Sequence, residues 1–365
     1  VGRNRVTGGT PHTFKVIHER RECIRDVRAG HRHSDAFPPS RDRAEWPRFP
    51  DRDQQDVALH IPQPGHVMKL PFHTLDVFTD RRFGGNPLAV VHDASALTGS
   101  QMQAIACEFN LSETVFVLPA ESPSHSARVR IFTPAKEMAF AGHPTIGTAI
   151  LLAEMKSRGQ NGDGDAIVVL EQGIGPVRVG VRMRRGIASF AEFDAPKLPE
   201  PAGDVPTSDR LAAALGLKPS EIGFANHRPS QWSAGVPFTF VPVASMEAIG
   251  RAEIVSTHWN TVFGGPRAGK VYLYTHETVH TTSSFHARMF GPGAGVAEDP
   301  ATGSAAAAFA GVVNAFDQCP AGTHKRIIEQ GFEMKRPSLV SLVLTIDGQT
   351  LDNVRIGGHC VRVSE

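Results

Sequence analysis

The chain has 365 residues, enough for two domains with cores of their own. Its 38 Lys and Arg balance 37 Asp and Glu to a formal net charge of +1, which removes the electrostatic basis for a nucleic-acid or anionic-membrane partner. No apolar run approaches the roughly 18 residues of a membrane helix, and four scattered cysteines (Cys23, Cys107, Cys319, Cys360) lack metal spacing and read as free thiols of a reducing, cytoplasmic compartment.

Residues 1–67 differ from the rest. They are rich in Arg, Asp, Pro and His and show no sustained apolar period, and Met68 is the first methionine. Acidic residues such as Glu19, Glu22 and Asp26 argue against a transit peptide, and no apolar core argues for a secretory signal. The expectation is a disordered or non-native N-terminal extension.

Regular patterning begins at Lys69. Strands are predicted over Phe72 to Thr79 and Leu88 to His92, separated by the turn-rich Asp80 to Pro87. Thr98 is a plausible cap for a helix ending near Asn110. Glu113 then follows in a loop before a strand at Val115 to Leu118. Further strands are read at Ser126 to Thr133, Ile167 to Leu170, Pro176 to Met183 and Ala188 to Phe193, with a helix over 143 to about 156. The domain change is placed in the Pro- and Gly-rich stretch from Asp194 to Thr207, dividing the chain into 69–195 and 196–349. The last strand, about 350–365, completes the first domain. The second half reads as helices at Ser208 to Leu217 and near Ser245 to Glu253, with strands at Phe238 to Val243, Lys270 to His276, Phe285 to Phe290, Arg326 to Gln330, Leu339 to Asp347 and Val354 to Val363.

One phrase occurs twice. Glu298-Asp299-Pro300-Ala301-Thr302-Gly303-Ser304-Ala305 echoes Gly142-His143-Pro144-Thr145-Ile146-Gly147-Thr148-Ala149, so that His143 matches Asp299, Pro144 matches Pro300 and Gly147 matches Gly303 at a constant offset of 156 residues. Upstream, Arg130-x-Phe132-x-Pro134 echoes Arg288-x-Phe290-x-Pro292. The period is domain-sized, which indicates an internal duplication rather than a solenoid. Each copy reads as a tight turn feeding a helix of small residues, whose unpaired N–H groups attract anions. Two such starts facing each other would form one site, with a helix dipole keeping Asp299 ionised and His143 neutral.

Other motifs carry no chemistry. Gly264-x4-Gly269-Lys270 imitates a phosphate loop, but Val271 replaces the Ser or Thr and a strand follows where a helix is required. Gly291-x-Gly293-x-Gly295 has the wrong spacing for a dinucleotide fingerprint. What remains is an acid/base site without a cofactor.

Phe83-Gly84-Gly85-Asn86-Pro87-Leu88-Ala89-Val90, Leu111-Ser112-Glu113-Thr114, Phe140-Ala141-Gly142-His143-Pro144-Thr145 and the Glu298 to Ala305 phrase resemble the PhzF-like phenazine-biosynthesis family, as does Ile328-Glu329-Gln330-Gly331 with Arg336-Pro337-Ser338. The resemblance spans about 69–365. It implies an α+β, diaminopimelate-epimerase-like fold: two pseudo-symmetric domains, each a β-barrel-like sheet around a central helix. It also implies a homodimer, no cofactor and no metal. Glu113 is then the proton shuttle, His143 and Asp299 line the site, and Gly142, Gly303 and Ser304 hold a small carboxylate substrate. The expected activity is that of a cofactor-independent isomerase or epimerase moving a proton between carbons. The type reaction is trans-2,3-dihydro-3-hydroxyanthranilate isomerisation, in which a proton moves from C3 to C1. The alternatives are a lyase using the same base and a catalytically silent binding protein.

Overall fold

Two small-residue helices, each wrapped by strands of its own half, organise the chain. The computed structural model describes residues 13–15, 68–157, 163–185, 187–265, 269–292 and 297–364. Apart from a short strand β1 (Thr13–Lys15), the expectation for 1–67 lies outside the described residues.

In the first half, β2 (Lys69–Val77) pairs antiparallel with β3 (Asn86–Val91). Helix α1 (Gly99–Phe109) then carries the chain to β4 (Glu113–Leu118), parallel to β3. Thr98 and Gln101 form a reciprocal capping box at the start of α1, and Asn110 ends it in the left-handed conformation, so this helix is delimited by local chemistry. Next come β5 (Ala127–Phe132), β6 (Glu137–Met138), α2 (Gly142–Lys156), β7 (Gly164–Gln172), β8 (Gly175–Arg184) and β9 (Ile187–Asp194). Along β8, Val177, Val179 and Val181 are buried and Arg178, Gly180 and Arg182 are exposed, the alternation of a strand with one face on a core.

The second half repeats this plan. After β10 (Glu200–Pro201) and α3 (Ser208–Leu215) come β11 (Ser230–Ser233), β12 (Pro237–Pro242), α4 (Met246–Arg251), α5 (Ser256–Phe263), β13 (Val271–Thr275), β14 (Phe285–Phe290), β15 (Glu298–Asp299), α6 (Gly303–Phe316), β16 (Gly322–Gln330), β17 (Ser338–Asp347) and β18 (Thr350–Ser364). Pairings match one for one. β12 and β13 run parallel as β3 and β4 do, and β14 joins β16 in parallel as β5 joins β7. Strand β18 pairs with β17 over Thr350 to Gly357, then with β9 and β2 over Arg355 to Ser364, so the chain ends on the sheet where it began. This is the diaminopimelate-epimerase-like α+β fold.

Both α2 and α6 are buried on nearly every side, as expected of helices without a polar face. Their small residues let strands approach closely: a Cβ added at Gly311 of α6 would lie 2.3 Å from Trp232 Cε3. The short β11 and α5 escape prediction because each offers too few apolar residues for a period. Only Trp259 of α5 is fully covered.

Candidate active site

The two central helices meet at their N-termini. A Cβ built on Gly142 would lie 3.1 Å from the Cα of Gly303, and one built on Gly303 would lie 3.2 Å from the Cα of Gly142. Only residues without side chains permit this approach. Neither helix has a side-chain cap: Ala141 precedes α2 and Thr302 precedes α6, and neither caps through its side chain. The N–H groups of Gly142, His143, Gly303 and Ser304 therefore belong to two abutting positive helix ends.

This contact corrects the register of the internal repeat. Gly142 is equivalent to Gly303, an offset of 161 residues, and the same offset relates Glu137 to Glu298 and Met138 to Asp299. His143 is thus the counterpart of Ser304, not of Asp299. Pro300 is not helical, since α6 begins at Gly303, whereas Pro144 lies in the first turn of α2. The Pro-x-x-Gly echo matched sequence without matching position.

Asp299 sits on β15 rather than at a helix start. Its Oδ1 accepts hydrogen bonds from Asn86 Nδ2 (2.9 Å) and Ser112 Oγ (3.3 Å), and its Oδ2 accepts one from Thr302 Oγ1 (2.6 Å). Gln330 Nε2 donates to the Asp299 carbonyl (2.7 Å) and to Thr302 Oγ1 (3.0 Å). Asn86 and Ser112 come from the first half, so Asp299 is held from both sides. Burial raises its pKa to about 6 against these hydrogen bonds, the reverse of the lowering expected from a helix dipole. Asn86, Thr302 and Gln330 were not singled out from sequence as site residues. All three lay inside quoted motifs, as did Ser112, but nothing local gave them a role: Gln330 is 31 residues beyond Asp299 and meets it through the β14–β16 pairing.

Glu113 is the first residue of β4, not a loop residue, and it faces inward with Val115 toward α2. Its carboxylate Oε2 lies 3.5 Å from His143 Nε2 and keeps 18% side-chain exposure. Burial first, then the neighbouring Asp299 charge, pushes the Glu113 pKa up to about 8. His143, with a 5% exposed side chain, is held neutral by burial, which lowers its pKa to about 3. Among the described residues its Nε2 has no hydrogen-bond partner. Tyr272 lies in the same cross-strand row as Met289 and Asp299. Its hydroxyl is buried, also lacks a partner among the described residues, and is pushed up in pKa by burial and by Asp299. A carboxyl titrating near neutrality beside a neutral imidazole can take a proton and give it back.

Two other features lie elsewhere. A cavity of about 1120 Å³ is lined by residues including Arg128, Glu137 and Glu171, but by none of Glu113, His143 and Asp299. Among the described residues, His227, His276 and Asp317 bring potential metal-ligand atoms within 4.8 Å of one another, at the far end of α6. There the Arg326 guanidinium already donates to Asp317 Oδ2 (3.4 Å), which opposes a second cation.

A family model described as phenazine biosynthesis-like protein matches residues 75–365. An uncharacterized isomerase of Mesorhizobium japonicum is 53% identical over 295 residues, covering 80% of this chain and 95% of the relative. The trans-2,3-dihydro-3-hydroxyanthranilate isomerase of Pseudomonas aeruginosa is 32% identical over 295 residues, covering 80% and 96%. The crystal structure of a PhzF-family phenazine biosynthesis protein of Bacillus anthracis superposes with a TM-score of 0.71 at 27% identity, covering 81% of this chain and 98% of the other. The chain is an isomerase and belongs to the PhzC-PhzF family of phenazine biosynthesis-like proteins.

Proposed function

We propose that the protein is a cofactor-independent isomerase of a small carboxylate, in which Glu113 removes a proton from one carbon and returns it to another. The observation that carries this reading is the meeting of two helix N-termini without side-chain caps beside a carboxyl group of raised pKa. Two positive helix ends in contact repel each other unless an anion lies against them. A substrate carboxylate supplies that anion, and its developing negative charge meets N–H groups already in place.

The carboxylate of Glu113 takes the proton next to the activating group and becomes a neutral acid. His143 Nε2, neutral and close to Glu113 Oε2, accepts a hydrogen bond from that acid and orients it for return. Asp299, fixed by Asn86, Ser112 and Thr302, keeps the Glu113 proton affinity high. Gly142, Gly303 and Ser304 hold the substrate carboxylate. We place the enzyme in the cytoplasm as a homodimer. Among the described residues no helix is long and apolar enough to cross a membrane.

The first compound to offer is trans-2,3-dihydro-3-hydroxyanthranilate, the substrate in the name of the P. aeruginosa relative. Proton NMR in D2O, with Glu113→Gln as control, tests the reading. Isomerisation or deuterium entry that depends on Glu113 supports it. Full activity in Glu113→Gln sinks it.

A further inference from the structure

Arg336 lies between β16 and β17, in the second half, and its guanidinium reaches the first. Its Nε donates to the Gly85 carbonyl (3.0 Å), and its Nη2 donates to Asp76 Oδ1 on β2. The other oxygen of Asp76, Oδ2, accepts from the backbone N–H of Phe83 (2.6 Å). The Gly85 N–H donates in turn to the Pro337 carbonyl (3.0 Å). Both backbone groups of Gly85 are thus held by two consecutive residues of the other half, and Asn86 comes next in the chain. The ion pair is sheltered, with the Asp76 side chain 4% exposed and that of Arg336 25%.

Asn86 is the residue whose placement this governs. It is fully buried, and its Nδ2 donates across the halves to Asp299 Oδ1 (2.9 Å) and to the Ala301 carbonyl (2.9 Å). Asp299 is tied to the same loop as Arg336. Gln330 donates to the Asp299 carbonyl, and Gly331 packs between Pro300 and Arg336: a Cβ built on it would lie 2.6 Å from the carbonyl oxygen of each. The Arg336 N–H donates to the Gly331 carbonyl (2.9 Å), which closes the turn. Residues 330–337 therefore grip both ends of the Asn86–Asp299 bond, one through Gln330 and the other through Arg336 and Pro337. A planar guanidinium presents its donors in a fixed fork, so it sets Gly85 and Asp76 together where a flexible ammonium does not.

We propose that Arg336 is a positioning residue of the site: by holding Gly85 and Asp76 it keeps Asn86 on Asp299 across the two halves. It acts through Asn86 rather than on the substrate. The inference rests on Asp299 belonging to the site, as proposed above.

Carbon-13 NMR titration of the full chain, labelled at the aspartate carboxyls, tests it, with the Asp299 signal assigned by its loss in Asp299→Asn. A hydrogen bond to the ionised form holds a carboxyl down, so losing the Asn86 bond raises the Asp299 midpoint. The expected rise is roughly one pH unit in Asn86→Ala and in Arg336→Gln. It grows no further in the double variant and is smaller in Arg336→Lys, which keeps the charge without the fork. Glu113, Glu298 and Tyr272, the titratable groups that share a field with Asp299, are present in every variant. A midpoint that stays in place in Asn86→Ala or in folded Arg336→Gln overturns the inference. So do shifts that add in the double variant, as they would if Arg336 merely stabilised the fold. Thermal melting checks folding, and if Arg336→Gln does not fold, Arg336→Lys with and without Asn86→Ala is read by the same rule. Failure of the isomerase reading is separate: deuterium exchange indifferent to Glu113 sinks that reading whatever the titration gives.

Discussion

Gly142 and Gly303, 161 residues apart in sequence, touch through their backbones, and no side chain fits between them. The contact joins the two halves of the molecule where their central helices begin, within reach of Glu113, His143 and Asp299. Adding a methyl group at either glycine pushes the helix starts apart by a few tenths of an ångström. Gly142→Ala and Gly303→Ala are each expected to lower kcat/KM by about 10- to 100-fold, since small misplacements of bound groups carry large kinetic costs. Steady-state kinetics beside a melting curve checks this, and a rate unchanged in both variants would remove the shared site from the mechanism.

Replacing Glu113 separates chemistry from binding. Glu113→Gln keeps the shape of the side chain and loses the proton acceptor. A fall of roughly 10²- to 10⁴-fold in kcat is expected, with ligand affinity within about threefold of wild type. Affinity and turnover measured on the same preparation distinguish this outcome from misfolding.

The pH profile follows from the electrostatics. Glu113 must be ionised to take a proton, and burial with the Asp299 charge raises its pKa to about 8. The rate constant kcat/KM therefore rises with pH through that value. In Asp299→Asn the charge contribution disappears while the burial remains. The midpoint then moves to lower pH but stays above an ordinary carboxylate, even though the plateau also falls. A midpoint that does not move would show that Asp299 has no influence on the base.

His286 makes stability depend on pH independently of the site. Burial alone would lower its pKa, but hydrogen bonds to Glu329 (3.0 Å) and Glu333 (2.9 Å) raise it to about 9. A histidine with a folded pKa above its unfolded value of 6.5 stabilises fully below 6.5, and that contribution is lost as pH rises through about 9. Urea denaturation at about pH 6 and about pH 9.5 should show the loss. His286→Leu should flatten this alkaline dependence and cost on the order of 3 kcal/mol near neutrality, because it leaves the buried Glu329 and the half-buried Glu333 without their cation. An equal pH dependence in the variant would place its origin elsewhere.

Much of this molecule is determined locally and was legible from residues alone. Thr98, Gln101 and Asn110 delimit α1 through bonds within one turn of chain, and Phe285 to Phe290 was read as a strand from its own residues. The phrases containing Glu113, His143 and Asp299 named the candidate site through their resemblance to a family, since none of the three residues declares a role by its own chemistry. Tertiary structure alone decided how the duplicated phrases correspond. Sequence matched His143 to Asp299 because both precede a proline. Packing matched Gly142 to Gly303, because only residues without a side chain can stand where two helix ends meet. It likewise decided the sign of the Asp299 shift. A helix-start position predicts a lowered pKa, but on β15 burial outweighs the hydrogen bonds from Asn86, Ser112 and Thr302. The partnership of Gln330 with Asp299 arises from strand register. The β14–β16 pairing sets Gln330 opposite Ala287, 43 residues away, and such register is a property of the sheet that no short window of sequence contains.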